Sequence, residues 1–308
     1  MNKHVHVGLI GVGLMGHGIA TSLLRAGHRL TFLDHPGNQP TDDLRAKGAT
    51  AVACPRDVAT AAEVVILCVT GTPQVESVLF DEGGVVEGIG DGKEGIGDGK
   101  EIIGDAKVII DCSTAIPSST RGIAERVAAA GGRFMDAAMT RTPKEAAEGR
   151  LNLIVGAPEA LFDAMHPLLA SFSEHITHGG PVGSGHTLKL LHNFVSLGFT
   201  AVLAEAVAAS RRAEIDDAVL LEVLGNGGGG GVVLERLRPF IAGDDPSGFR
   251  FSLANSLKDV GYYQSMAGDL DAAKDVADAV ASLYRQVNDQ GHGERLVPEL
   301  VTLLKEGA

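Results

Sequence analysis

Residues 5–10 read as a short buried strand that runs straight into Gly11-Val12-Gly13-Leu14-Met15-Gly16, a junction that narrows the choice of fold sharply. A helical pattern follows, and Leu30-Thr31-Phe32-Leu33-Asp34 closes the unit as a second strand. In such a strand–turn–helix–strand unit, Gly11 permits the tight turn, Gly13 lets a pyrophosphate approach the backbone, and Gly16 lets helix pack against strand. Asp34, 18 residues after Gly16, stands where an acidic side chain accepts hydrogen bonds from an adenosine ribose. The spacing points to a dinucleotide site built from Gly11, Val12, Gly13, Leu14, Met15, Gly16 and Asp34, against the bland alternative of a glycine turn that serves packing alone. A carboxylate at Asp34 repels a 2′-phosphate and no arginine follows closely in Asp34-His35-Pro36-Gly37, so NAD is preferred, with NADP the alternative.

The pattern from residue 1 to about 180 alternates short apolar runs with helical segments. Strands are expected at 5–10, 29–34, 63–69, 107–112, 133–139, 151–157 and 174–178, and helices at 14–26, 55–61, 73–80, 117–130 and 158–170. That alternation predicts an α/β fold with a Rossmann-type, doubly wound, mostly parallel sheet, and the short connections between the last three strands predict an antiparallel extension at that edge. After Gly179-Gly180-Pro181 the character changes. Residues 184–212 form one long helical pattern of roughly 40 Å, apolar on most sides. Further helices are expected at 216–224, 232–241, 255–267, 271–288 and 295–305. The chain therefore divides into a dinucleotide-binding domain, 1–179, and an all-α C-terminal domain, 180–308, with a homodimer or homotetramer expected from the apolar long helix.

With 308 residues and 44% hydrophobic content the chain is large enough for about two cores. A formal charge of −13 repels polyphosphate and no basic stripe offsets it, which argues against a nucleic-acid partner. A small anion remains admissible if a few cations gather at its pocket. Three cysteines, Cys54, Cys68 and Cys112, without CxxC spacing read as buried thiols in a reducing cytoplasm. No apolar run reaches the roughly 20 residues of a membrane span, so neither a membrane nor secretion is expected. The 11 histidines show no metal spacing. Gly-Ile-Gly-Asp-Gly-Lys-Glu occurs twice within 88–101, which reads as a slipped duplication in a surface loop. The five glycines at 227–231 read as an interhelical loop rather than an anion cradle.

Dinucleotide binding narrows the class to redox chemistry, and the group that handles the proton becomes the question. Lys189 is the candidate, in Gly183-Ser184-Gly185-His186-Thr187-Leu188-Lys189-Leu190-Leu191-His192-Asn193 at the head of the long helix. Lys189 and Asn193, four apart, share one helical face crowded by Leu190, Leu191 and Phe194. Partial desolvation lowers an ammonium's pKa and suits it to proton transfer near neutral pH; a lysine snorkelling from a buried helix to solvent is the alternative. His186 and His192 could tune that lysine, although imidazoles that merely pack a helix are the commoner case.

These segments resemble the β-hydroxyacid dehydrogenase family. Gly8-Leu9-Ile10-Gly11-Val12-Gly13-Leu14-Met15-Gly16 is similar to its cofactor loop, and Asp111-Cys112-Ser113-Thr114-Ala115-Ile116-Pro117 to its D-x-S-T-x-x-P segment. The segment 183–193 and the run from Phe251 to Leu257-Lys258-Asp259 match two further motifs, so the likeness spans nearly the whole chain. The resemblance implies that Lys189 is the catalytic acid/base, that Ser113 and Asn193 bind substrate, and that Thr114 and Lys258 meet the cofactor. Val69, Thr70 and Gln74 resemble cofactor-lining positions. Relatives that reduce imines usually replace the lysine with aspartate or tyrosine, and non-catalytic relatives lose it, so its retention counts against both.

One segment departs from the family pattern. Where relatives carry D-A-P-V-S-G-G, this chain reads Asp136-Ala137-Ala138-Met139-Thr140-Arg141-Thr142-Pro143-Lys144. Arg141 supplies a planar fork of donors for a carboxylate, sulfonate or phosphate, and Arg141-Thr142 is similar to the segment that sulfolactaldehyde reductases of the same family use for a sulfonate. The alternative is a surface arginine paired with Glu145 or Glu148. The resemblance implies a small anionic hydroxy acid or aldehyde as partner: a short 3-hydroxy acid of the 3-hydroxyisobutyrate type and its semialdehyde, or an aldehyde with a sulfonate or other anionic head.

Overall fold

Runs of Val, Ile and Leu too short for a helix form the strands β1 (His6–Ile10), β2 (Arg29–Leu33), β3 (Thr50–Val52), β4 (Val64–Leu67), β5 (Val108–Asp111), β6 (Arg133–Thr140), β7 (Leu151–Gly156) and β8 (Ser173–Gly180). These come from a computed structural model, which describes residues 4–90 and 106–306. The repeat read at 88–101 therefore lies, from residue 91 on, outside the described residues. The strands form one sheet in the order β3-β2-β1-β4-β5-β6-β7-β8. Neighbours from β3 to β6 are parallel, β7 is antiparallel to β6, and β8 runs parallel to β7. The antiparallel step expected at that edge thus falls at the β6–β7 pairing alone.

Helices α1 (Leu14–Arg25), α2 (Asp42–Ala46), α3 (Pro55–Ala61), α4 (Thr72–Phe80), α5 (Pro117–Ala129), α6 (Pro143–Glu148) and α7 (Glu159–Leu169) connect the strands. Alternate side chains of the central strands enter two cores on opposite faces of the sheet. Val7, Leu9, Leu30, Phe32, Ile66 and Ile110 lie in one, and Ile10, Leu33, Val65, Leu67 and Ile109 in the other. Burial on both faces is why these strands read as continuous apolar runs rather than alternating ones, and each such side chain contributes about 1.5–3 kcal/mol. Three elements were not anticipated. β3 is only three residues long and exists through its pairing with β2, while α2 and α6 are single short helices in segments to which the sequence reading assigns no helix or strand.

The remaining helices are α8 (Ser184–Arg212), α9 (Asp217–Gly225), α10 (Val232–Gly243), α11 (Leu253–Asp269), α12 (Asp275–Val287) and α13 (Leu300–Glu306). The chain divides into two compact units, 1–189 and 190–308, so the opening turns of α8 belong to the first and the rest to the second. In the second unit Leu197, Ala201, Ala204 and Val207, spaced by three and four along α8, share a core with Leu237, Ile241, Tyr284 and Val301. The buried Tyr284 hydroxyl donates to the Leu197 carbonyl at 3.0 Å. The 227–231 glycines form the turn between α9 and α10, where a Cβ on Gly229 would come within 2.6 Å of Leu224.

One sequence expectation is corrected here. By length and composition α8 could cross a membrane, since its most apolar 18 residues have a mean hydropathy of 1.5. Half of that window is buried inside the protein, and α8 carries the buried polar residues His186, Asn193, Ser196 and Thr200. It reads as a core helix.

Candidate active site

The three glycines of the opening turn are required for three different reasons. Gly11 has φ +95°, and a Cβ there would sit 2.2 Å from the Cys68 carbonyl oxygen. A Cβ on Gly16 would come within 1.9 Å of the Gly11 carbonyl oxygen, so helix and turn touch only because it is glycine. Gly13 has an ordinary extended conformation, φ −73° and ψ −163°, and a Cβ on it would meet nothing within 4 Å. Nothing among the described residues requires glycine there, which suits close approach by a ligand. α1 has no side-chain cap on its first turn and no acidic residue there, so its first amides and its positive dipole end remain available to an anion. Val12 is buried and tied to the loop after β2, its N–H donating to Asn38 Oδ1 at 3.2 Å and its carbonyl accepting from Gln39 at 2.8 Å; Leu14 is exposed and Met15 half-buried. These residues fit the pyrophosphate of a dinucleotide.

Asp34 follows β2 and is exposed, and its Oδ2 accepts from Arg45 Nη2 at 3.1 Å. No arginine follows closely in sequence, yet α2 folds one back onto this carboxylate from 11 residues away.

The strand order reverses between β1 and β4, the position where open α/β sheets bind ligands at the carboxyl ends of their strands. The loops after β4 and β5 are stitched together beside it. Val69 N–H donates to Ser113 Oγ at 3.1 Å, Ser113 N–H donates to Asp111 Oδ1 at 2.9 Å, and Ile116 N–H donates to Thr72 Oγ1 at 2.9 Å. Ser113 is buried and Thr114 and Val69 are half-buried, while Thr70 and Gln74 are exposed. Burial pushes the Cys68 thiol up to about 12, with Asp111 adding to the effect, so it stays protonated and serves no acid/base role near neutrality.

Past the end of β6, Arg141 adopts φ +81°, a left-handed backbone unusual for a side chain of its size. Its guanidinium pairs with Glu174 on β8 and donates to the Arg150 carbonyl at 2.5 Å. Neither Glu145 nor Glu148 is its partner: Glu145 completes a capping box with Thr142 at the start of α6, and Glu148 pairs with Arg150. Arg141 and Thr142 thus both make bonds within the fold, and the Arg141 hydrogen bond holds the Glu174 carboxyl below its usual range.

The opening turns of α8 are fixed by buried polar groups. Gly183 has φ +92°, and a Cβ on Gly185 would lie 2.4 Å from the Ile154 carbonyl oxygen and 2.8 Å from Asp136 Oδ2. That close approach lets Asp136, buried on β6, cap the helix from outside: Oδ1 accepts from Gly183 N–H at 2.7 Å and Oδ2 from His186 N–H at 2.8 Å. Lys189 stands one turn further on, half-buried, with Leu190 buried, Phe194 half-buried and Leu188 exposed. Leu191, expected to crowd the lysine, is exposed instead at 41%.

In the second unit Asn193 is buried, its Nδ2 donating to Asp259 Oδ2 at 2.6 Å and its Oδ1 lying 2.9 Å from His192 Nδ1. Lys258 Nζ lies 3.1 Å from Asp259 Oδ1. Asp259, quoted in the sequence only as the last letter of a motif, is the group that holds Asn193 and Lys258 together. Its signal was the acidic residue next to the lysine on a helix that buries one face.

An accessible glycine turn at the switch point of a Rossmann-type sheet, followed by a helical unit, defines a dinucleotide-dependent oxidoreductase. The family model for the NAD binding domain of 6-phosphogluconate dehydrogenase matches residues 6–180, and that described as NAD-binding of NADP-dependent 3-hydroxyisobutyrate dehydrogenase matches 183–304. An NAD-dependent L-serine dehydrogenase of Pseudomonas aeruginosa is 29% identical over 94% of each chain. A 3-sulfolactaldehyde reductase of Escherichia coli is 28% identical over 94% of this chain and 92% of its own. Among solved structures, a 3-hydroxyisobutyrate dehydrogenase from Salmonella typhimurium superposes with a TM-score of 0.79 at 26% identity, covering 97% of this chain and 99% of its own. The chain belongs to the β-hydroxyacid dehydrogenase family and is an NAD(P)-dependent hydroxyacid dehydrogenase.

Proposed function

We propose that this enzyme interconverts a short 3-hydroxy acid of the 3-hydroxyisobutyrate type and its semialdehyde with NAD, and that Lys189 is its general acid/base. The observation that carries the reading is the placement of Lys189: half-buried, on a helix start that buried side chains hold in place, and four residues ahead of Asn193 on the same helix. A bound nicotinamide would supply hydride exchange with the substrate carbon, in the direction of alcohol oxidation or of aldehyde reduction. The amine of Lys189 removes the hydroxyl proton in the first direction, and its ammonium protonates the carbonyl oxygen in the second. Ser113 Oγ accepts from Val69 N–H and is held beside Asp111, which would fix its hydroxyl where it orients the acid group. Asn193, oriented by Asp259, hydrogen-bonds the reacting end. Gly11 to Gly16 and Asp34 would hold the pyrophosphate and adenosine ribose, Val69, Thr70, Gln74 and Thr114 would line the cofactor, and the family resemblance gives Lys258 a cofactor contact as well. A panel of small 3-hydroxy acids followed by absorbance at 340 nm tests the assignment; no turnover across the panel would count against it.

Asp34 favours NAD, whereas Arg45 beside it supplies a cation for a 2′-phosphate. The ratio of kcat/KM for NAD over NADP is expected to fall about tenfold in Asp34→Ala and to rise in Arg45→Ala, consistent with the loss of one charge-assisted contact in each. An unchanged ratio in both variants would remove these residues from cofactor choice.

A sulfonate-headed aldehyde is the second reading, supported by Arg141-Thr142 and by the sulfolactaldehyde reductase relative. Arg141→Ala is expected to raise KM for the true substrate by about tenfold or more. An unchanged KM would leave Arg141 to its ion pair with Glu174.

The same reading includes a cytoplasmic homodimer or homotetramer. Cys54, Cys68 and Cys112 are free. Leu191, Val195 and Val202 on α8 and Val219 and Val223 on α9 are exposed apolar residues in the helical unit, which suits them to cover by another copy. Sedimentation is expected to show an oligomer that Val195→Glu combined with Val202→Glu converts to a smaller species.

A further inference from the structure

His186 is fully buried, and three elements face its ring: Asp111 at the end of β5, Asp136 on β6 and Thr120 on α5. Thr120 Oγ1 donates to the Ile116 carbonyl one turn back, at 3.1 Å, so it accepts at 2.7 Å from His186 Nδ1, which therefore carries a proton. The other ring nitrogen, Nε2, lies 3.9 Å from Asp111 Oδ2, and neither atom has a hydrogen-bond partner among the described residues. At 3.9 Å Nε2 and Oδ2 do not hydrogen-bond; they meet as a charge contact, attractive when the ring is protonated. Burial pushes the Asp111 carboxyl above its usual range, opposed by His186 and reinforced by Asp136. Asp136 is engaged elsewhere, both its oxygens accepting from backbone N–H groups.

We propose that His186 is a positioning residue for Lys189, a role that rests on the reading of Lys189 as general acid/base: its buried ring, hydrogen-bonded to Thr120 and set beside Asp111, clamps the first turn of α8, three residues ahead of the lysine, onto α5 and β5. Asp136 holds the backbone of that turn, and the imidazole holds its rotation. A helix start held at both points keeps the lysine's Cα in one place. A misplacement of about 1 Å at a reacting group costs about a hundredfold in rate, so even a small loosening of the turn is felt at Lys189.

The test is a kinetic comparison of Asp111→Asn, His186→Phe and the double variant, with Lys189→Ala alongside. In Asp111→Asn, Oδ1 still accepts from Ser113 N–H and the bond between the ring and Thr120 is untouched, so kcat is expected to stay above about a third of wild type. His186→Phe removes the protonatable neighbour of the buried Asp111 carboxylate, leaving it only Ser113, and is expected to be poorly folded. The double variant removes that charge, so it folds and binds NAD, yet its kcat is expected to fall about tenfold to a hundredfold. Wild-type kcat in the double variant overturns the proposal, as does an Asp111→Asn loss as large as that of the double. Turnover retained in Lys189→Ala sinks the earlier reading instead, so the two failures are distinguishable. Should the double variant fail to fold, imidazole nitrogen NMR of the wild-type protein decides. A His186 Nδ1 hydrogen-bonded to Thr120 and protected from solvent exchange supports the clamp, and a ring in fast exchange with solvent overturns it.

Discussion

Replacing Lys189 by alanine is expected to lower kcat by about 10²- to 10⁴-fold in both directions while NAD still binds. The size follows from what the amine does: without it the hydroxyl proton must pass to or from water or a poorly placed group. Other candidates near the end of the sheet are unsuited to the task. Cys68 is held as a thiol with a pKa raised to about 12, and Asp111 and Asp136 are buried and committed to His186, Ser113 and the backbone of α8. NAD binding is expected to survive because the pyrophosphate turn is held by β1, α1 and the loop after β2, none of which depends on the lysine side chain. Equilibrium binding of NAD by fluorescence, beside steady-state turnover, separates the two effects.

Gly13→Val is expected to weaken NAD binding by about a hundredfold without unfolding the protein, as when two charge-assisted amide contacts of about 1.5–3 kcal/mol are partly lost. The backbone at Gly13 suits any L-residue, and the added Cβ points into open space. Gly11→Ala is expected to behave in the opposite sense. There the φ of +95° and the Cys68 carbonyl 2.2 Å from the new Cβ make the substitution a fault in the fold itself, lowering stability by about 2 kcal/mol or more. Thermal unfolding of the cofactor-free variants distinguishes them. A Gly13→Val protein that binds NAD normally would show that the turn serves packing alone.

The opening unit was legible because each glycine answers a local need and the sheet's central strands are buried on both faces, leaving apolar runs bounded by turns. Helix α8 was legible for a related reason, a long apolar pattern ending at Arg211-Arg212. What escaped was held by tertiary contacts or written in a short signal. β3 pairs only with β2, and three residues cannot display a period of two. α6 did carry a sign, since Thr142-Pro143-Lys144-Glu145 is a capping box with proline at the first helical position. The Arg45–Asp34 pair, the Arg141–Glu174 pair and the Asp259–Asn193 bond join residues 11, 33 and 66 apart, which no local periodicity records. His186 is the sharpest case. In the sequence it is one imidazole in an apolar helix, and its two carboxylate neighbours become apparent only when β5, β6 and α8 are brought together.

The most direct test of the central claim is the pH dependence of kcat/KM for hydroxy-acid oxidation, compared between wild type and Lys189→Ala. If the lysine amine takes the hydroxyl proton, wild type shows a rising limb to a plateau as that amine loses its proton, and the variant loses this limb, its residual rate climbing with hydroxide alone. A variant that keeps the same limb at the same position, at any rate, would mean that another group moves the proton.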